Sequence, residues 1–335
     1  MYIDCHVHCR DDSWSYKSTI EECLRISEKA GLVGIFDMPN TEPPVINRKR
    51  VLERFALAEK ANSRVFYGSY IGLTSDKNQI REAVETYREF VPKNFSKFGV
   101  VGLKMFAGKS VGSLSVTSPE EQLEVYRQLT NFGFGGALVV HCEKESLLKS
   151  KLWNPQKPSS WSDARPEQSE VESVRDQINL SKQVGYMGHI HFAHISVPES
   201  AIIIKKAGGR AMRYSIGVTP HHLMNNTDDQ ESDFVGLMYK VNPPLRKKET
   251  QQRLLKMCIA GEFDILESDH APHTLDEKLG RAKDNKGNPV YMSGIYSLPH
   301  WPEFASTLIK LGVSPQLIAK MSYASVKDIF RIGEK

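Results

Sequence analysis

The sequence predicts an α/β fold, a (β/α)8 barrel of the TIM type, on three observations. Eight short apolar runs recur along the chain, amphipathic stretches lie between several of them, and histidines collect at their ends. The runs are "YIDCHVH" (2–8), "LVGIFDM" (32–38), "VFYGSYIGL" (65–73), "FGVVGLKMF" (98–106), "GALVVHC" (136–142), "GHIHFAHIS" (188–196), "MRYSIGVT" (212–219) and "FDILESDH" (263–270). Alternating β and α elements imply a parallel sheet, and eight repeats favour a closed barrel over an open sheet. The stretch "STIEECLRISEKAG" (18–31) sets Ile20, Cys23, Leu24 and Ile26 at near-helical spacing, with Gly31 as a C-terminal stop. In "SPEEQLEVYRQLTNFG" (118–133), Ser118 followed by Pro119, Glu120 and Glu121 is a helix-start signal. A third helix is expected in "PESAIIIKKAGG" (198–209). The longest excursions, about 143–187 and 220–262, are expected to be loops and extra helices on the functional rim, with "NPQKPSSWSDARPE" (154–167) irregular. One barrel domain over residues 1–335 is the expected organisation.

Bulk properties bound the function. A chain of 335 residues suits one such barrel with insertions, and 40% hydrophobic with 25% charged residues is ordinary globular composition. The net charge of +4 comes from 44 basic and 40 acidic residues without a basic block, which argues against a nucleic-acid partner. The five cysteines, Cys5, Cys9, Cys23, Cys142 and Cys258, form no C-x-x-C pair. Their odd number points to a reducing cytoplasm rather than a disulfide framework. The start has no signal-peptide pattern, and no run of about 18 apolar residues suggests a membrane span.

Chemistry in a barrel of this kind sits at the C-terminal ends of the strands. Run 1 ends in His6, His8 and Arg10; run 4 carries Lys104; run 5 ends at His141, run 6 at His194 and run 8 at Asp269-His270, while His221 and His222 follow run 7. Residues 6, 8 and 10 alternate, so on a strand they share one face. A single such histidine is an ordinary polar residue. Several at successive strand tips, joined by a carboxylate, supply neutral imidazoles and an oxygen donor suited to zinc or a similar divalent metal. The surplus of donors points to two metals about 3.5–4 Å apart. Lys104 lies among the apolar Leu103, Met105 and Phe106, which argues against a surface lysine. Its ammonium would be disfavoured beside two dications, unless the neutral amine were carboxylated by CO2 to a bridging carbamate.

With those residues in place, the chain resembles the amidohydrolase superfamily and, within it, the dihydroorotase family. The superfamily part is "DCHVHCR" (4–10), Lys104 in "GLKMF", His141, His194 and Asp269. The narrower part is the ordered series "MPNT" (38–41), "ARPE" (164–167), "TPHHL" (219–223), "NPPLR" (242–246) and "SDHAPH" (268–273). The resemblance implies one metal on His6, His8 and Asp269 and a second on His141 and His194, with carboxylated Lys104 bridging. It implies Arg10, Asn40 and His273 as substrate-binding residues, Arg10 and His273 facing a carboxylate. Ser110, in "AGKSVGSLS" (107–115), is a candidate loop contact to substrate or part of an ordinary Gly-Ser turn. Two departures stand out. The accessory β-sandwich that many family members carry is expected to be absent, and the Gly-Gly-Thr-Thr common before Met-Pro-Asn is replaced in "KAGLVGIFDMPNT".

The activity implied is the reversible cyclisation of N-carbamoyl-L-aspartate to L-dihydroorotate in pyrimidine biosynthesis. It uses a bridging hydroxide activated by two Zn2+ ions, with Asp269 moving the proton. A homodimer and aspartate carbamoyltransferase are the candidate protein partners. Two rival readings remain at this level: a hydantoinase or allantoinase sharing the same metals, and a non-catalytic scaffold, which loss of metal ligands would mark. His221, His222 and His270 are expected to pack or orient neighbours rather than bind metal.

Overall fold

The computed structural model describes residues 1–93, 95, 97–109, 114–208, 213–230 and 233–333. Eight parallel strands pair in sequence order: β1 (Tyr2–Val7), β2 (Leu32–Asp37), β3 (Phe66–Gly72), β4 (Phe98–Ala107), β5 (Ala137–Cys142), β6 (His189–Phe192), β7 (Arg213–Val218) and β8 (Ile265–Leu266). The seam between the last strand and the first closes just beyond β8. There His8 N–H donates to His270 O at 2.8 Å, and His270 N–H donates to His6 O at 3.3 Å. The result is a nearly closed barrel, with each predicted run supplying one strand.

Local signals set the first helices. Helix α1 (Ile20–Lys29) opens on a capping box in which Thr19 accepts from Glu22 N–H and Glu22 reaches back to Thr19, while Gly31 follows at φ +77°. Helices α2 (Arg48–Ala61) and α3 (Lys77–Phe90) are capped by Asn47 and Asp76. Helix α4 (Pro119–Asn131) uses the Ser118/Glu121 box read from the sequence.

The excursions differ from expectation. Residues 143–187 hold a short α5 (Ser160–Ala164) inside the stretch expected to be irregular, and then α6 (Glu167–Gln183), the 17-residue crossover between β5 and β6. Its buried Val171, Val174, Ile178 and Ser181 follow helical spacing, so α6 belongs to the outer layer and not to the rim. Helix α7 (Pro198–Ala207) follows as predicted. Residues 220–262 likewise hold rim helices α8 (Pro220–Met224) and α9 (Asp233–Met238) but end in α10 (Lys248–Ile259), which leads into β8. In both stretches the gap length drew attention away from the periodicity inside it.

Beyond β8 lie α11 (Leu275–Lys278), α12 (Trp301–Lys310), α13 (Pro315–Ala319), a π turn at Lys320–Ala324 and α14 (Ser325–Ile329). Val326, Ile329 and Phe330 join Ile3, Phe36, Phe66, Tyr70 and Ile265 in an inner core cluster. Phe330 meets Phe36 and Tyr70 edge-on, with centroids 5.1 and 5.9 Å away. This packing fills the barrel at the end where the strands begin, so the open end is where they finish. The larger core cluster lies between the strands and the surrounding helices, for example Val7, Leu24, Tyr67, Val125 and Ile204. Among the described residues, no helix is long and apolar enough to cross a membrane.

Candidate metal and substrate site

Strand alternation carries His6 and His8 to the same side of β1, and both are buried. Asp269 comes to meet them from the chain just past β8: its Oδ1 is 3.3 Å from His6 Nε2 and 3.1 Å from His8 Nε2. These three donors lie within 4.8 Å of one another, a spacing that fits a single small cation. Across the opening, His141 Nδ1 at the end of β5 is 3.1 Å from His194 Nε2 just past β6. The His6 and His194 rings, 5.0 Å apart, bring the two groups together.

The outward-facing nitrogens of His8 and His141 are also engaged. His8 Nδ1 is 2.7 Å from Asn40 Oδ1, and His141 Nε2 is 3.0 Å from Glu143 Oε2. A partner on the far nitrogen fixes tautomer and ring orientation, leaving the near nitrogen as a lone pair. Burial lowers all four imidazoles from their usual range, His6 to about 4, so they are neutral near pH 7. Burial raises Asp269, with His6 opposing it in part. Asp269 and His194 both sit at positive φ, +47° and +40°. Left-handed backbone at non-glycine residues costs about 1–3 kcal/mol and collects at functional sites.

Lys104 on β4 is fully buried, and its Nζ has no hydrogen-bond partner among the described residues. Burial lowers its pKa to about 8, opposed by the charges of Glu267 and Asp269. An unpartnered amine poised to lose its proton has the chemistry that carbamate formation requires.

Arg10 lies beyond β1, also buried, with Nε and Nη1 lacking hydrogen-bond partners among the described residues. It lines one cleft together with His6, His8, Asn40, His141, His194, Asp269 and Asn242. Asn40 reaches that cleft while its carbonyl holds His8. His273 stands next to Gly294, which lines the cleft; its Nδ1 is 3.2 Å from Lys17 Nζ and its Nε2 has no hydrogen-bond partner among the described residues. Ser110 falls outside the described residues. His270 serves the backbone, its Nδ1 accepting from Ser297 and Leu298 N–H, both at 3.0 Å. His222 bonds Thr219 Oγ1 at 2.8 Å and Pro243 O at 2.9 Å.

The structure adds residues that motif reading missed. Glu143 receives Arg165 Nε at 2.9 Å and Nη2 at 2.5 Å. Burial would raise the Glu143 carboxyl, but Arg165 and His141 outweigh it and hold it well below the usual range. The alternation of His141 and Glu143 in "HCE" was the available signal. Asp4 receives N–H from His6 and Ser268 and from the Trp301 indole, at 3.2, 3.1 and 2.7 Å, tying β1 to the region beyond β8. Glu267, two residues before Asp269, is fully buried below the histidines.

A barrel whose rim presents this histidine–carboxylate cluster has close counterparts among known proteins. No family model matches the sequence. The curated relatives it is similar to include the dihydroorotase of Macrococcus caseolyticus (strain JCSC5402), 29% identical over 278 residues, covering 83% of this chain and 61% of the relative. Another is the dihydroorotase of Staphylococcus epidermidis (strain ATCC 12228 / FDA PCI 1200), 28% identical over 284 residues with the same coverage. The chain therefore spans about three-fifths of the length of these relatives. In fold it is similar to the L-hydantoinase (dihydropyrimidinase) of Arthrobacter aurescens, with TM-score 0.83 and 22% identity over 98% of this chain and 70% of that one. The D-hydantoinase of Thermus sp. superposes with TM-score 0.79 at 19% identity, again over 98% of this chain and 70% of that one. These relatives and neighbours are cyclic amide hydrolases.

Proposed function

We propose that the chain is a metal-dependent cyclic amide hydrolase with dihydroorotase activity, interconverting L-dihydroorotate and N-carbamoyl-L-aspartate in cytoplasmic pyrimidine biosynthesis. The observation that carries the substrate assignment is Arg10, a buried guanidinium in the same cleft as His6, His8 and Asp269, with two nitrogens that have no hydrogen-bond partner among the described residues. A guanidinium fork matches a carboxylate in shape and charge, and dihydroorotate carries its carboxylate on the ring to be opened. The dihydroorotase names of the relatives support the same choice.

His6, His8 and Asp269 would hold one Zn2+ and His141 and His194 a second, with Lys104 as a carbamate between them. Bound metal would supply a water that ionises near neutral pH and would polarise the amide carbonyl. Arg10 holds the substrate carboxylate so that the ring amide faces Asp269. Asp269 accepts the proton of the attacking water and delivers it to the departing ring nitrogen. In ring closure Asp269 takes a proton from the ureido nitrogen as that nitrogen attacks the carboxyl carbon, and returns it to the departing carboxyl oxygen, which leaves as hydroxide. Burial keeps the His6 and His141 imidazoles neutral, so they do not compete with Asp269 for that proton.

The test is zinc content and dihydroorotate ring opening measured on one sample, with hydantoin and allantoin as competing substrates. About two metals with turnover of dihydroorotate, falling by about 100- to 10,000-fold in Asp269→Ala, is expected. Turnover of hydantoin or allantoin alone would replace the substrate assignment. A folded, zinc-supplied protein with neither metal nor turnover would make it a scaffold.

A further inference from the structure

Glu267 is a fully buried carboxylate two residues before Asp269, its pKa held well below the usual range, against burial, by His6 and His191. Oε1 accepts the His194 backbone N–H at 2.5 Å, and Oε2 lies 3.4 Å from His6 Nδ1. The carboxylate fits because β7 offers glycine opposite it: a Cβ on Gly217 would come within 2.2 Å of Oε1. His6 and His194 belong to opposite halves of the proposed metal centre, so a single carboxylate reaches both. At His6 it faces the nitrogen turned away from Asp269, and at His194 it binds the amide of a residue held at φ +40°.

We infer that Glu267 is a positioning residue shared by both halves of the proposed metal centre, facing the His6 ring at Nδ1 and holding the His194 backbone through its N–H. The inference rests on the metal reading above. A carboxylate behind a ligating imidazole fixes its tautomer and strengthens its basicity. The buried charge in turn gains compensation from cations bound on the far side of those ligands. Glu143 acts on the His141 ring alone, whereas Glu267 reaches the His6 ring and the His194 backbone.

A competing arrangement uses the same carboxylate differently. Cys5 Sγ is 3.5 Å and His191 Nε2 is 3.4 Å from Oε2, and the three groups lie within 4.8 Å of one another, so they could hold an ion of their own. The positioning role is favoured because Oε1 is already engaged by His194 and Oε2 is shared with His6.

The experiment titrates metal-free protein with zinc against a chromophoric chelator, for the wild type, Glu267→Gln and Cys5→Ser. Melting of each metal-free protein and the His6 ring-nitrogen NMR signals are recorded alongside. The inference expects about two equivalents in the wild type. In Glu267→Gln, zinc affinity at both positions falls by about 10- to 100-fold and the His6 Nδ1–H signal shifts. Metal-free melting changes little, and Cys5→Ser binds like the wild type. If Glu267→Gln fails to fold, Glu267→Met fills the space without a polar atom and is titrated instead. Unchanged zinc affinity in a folded Glu267 variant overturns the inference while leaving the metal reading intact. A third equivalent that disappears in Cys5→Ser makes Glu267 a ligand and overturns it as well. A wild type that binds no zinc overturns the metal reading, and the inference with it.

Discussion

Arg10 and Arg165 show how the same side chain serves two purposes in one site. Arg165 is spent inside the protein, forked onto Glu143, which in turn holds His141. Removing it strands a buried carboxylate, so Arg165→Met is expected to cost about 3–5 kcal/mol, read from urea unfolding midpoints. Arg10 keeps Nε and Nη1 unspent. A charge-assisted hydrogen bond to substrate contributes about 1.5–3 kcal/mol. Arg10→Met is therefore expected to raise KM for dihydroorotate by about 10- to 100-fold in steady-state kinetics, and to leave KM for an uncarboxylated cyclic amide nearly unchanged. Equal effects on both substrates would remove Arg10 from carboxylate recognition.

At the scale of elements, strands β1 and β7 divide the work by side-chain size. Strand β1 brings histidines to the cleft, while β7 contributes the absence of a side chain at Gly217. A methyl there would meet Glu267 Oε1 at 2.2 Å and His191 Nε2 at 2.8 Å. Gly217→Ala is expected to destabilise the protein by about 1–3 kcal/mol through overpacking, measured as a lowered unfolding midpoint. Helix termini were easier to anticipate, because caps depend on residues three apart. Ser118 with Glu121 was readable directly, and Thr19 with Glu22 follows the same rule. Helices α6 and α10 were hidden inside long gaps, although Val171, Val174 and Ile178 carry the spacing that identifies the first of them.

At the scale of the molecule, segments far apart in sequence meet around the cleft. Lys278 on α11 donates to Lys240 O at 2.9 Å and Gly294 O at 2.7 Å, joining the segments that carry Asn242 and Ser293 to the rim. Burial lowers the Lys278 amine from 10.5 to about 7. Between those values the unfolded chain binds the extra proton, so stability contributed through Lys278 rises as pH goes from about 7 to 10.5 and is lost progressively as pH falls from 10.5 to about 7. Unfolding midpoints of the wild type are expected to gain on Lys278→Met over this window. Parallel curves would show that Lys278 does not titrate between the two states.

Strand periodicity and strand-end chemistry made the barrel and the histidine cluster legible, since a residue's face and its place on a strand are local properties. His6, His8, His141, His194 and Asp269 could be chosen from the one-dimensional pattern for that reason. The partners behind them could not. Glu143 and Arg165 are 22 positions apart, Asn40 and His8 are 32 apart, and Glu267 meets His194 across 73. Such contacts depend on which strands become neighbours and on where a glycine leaves room, and the closed barrel alone settles both.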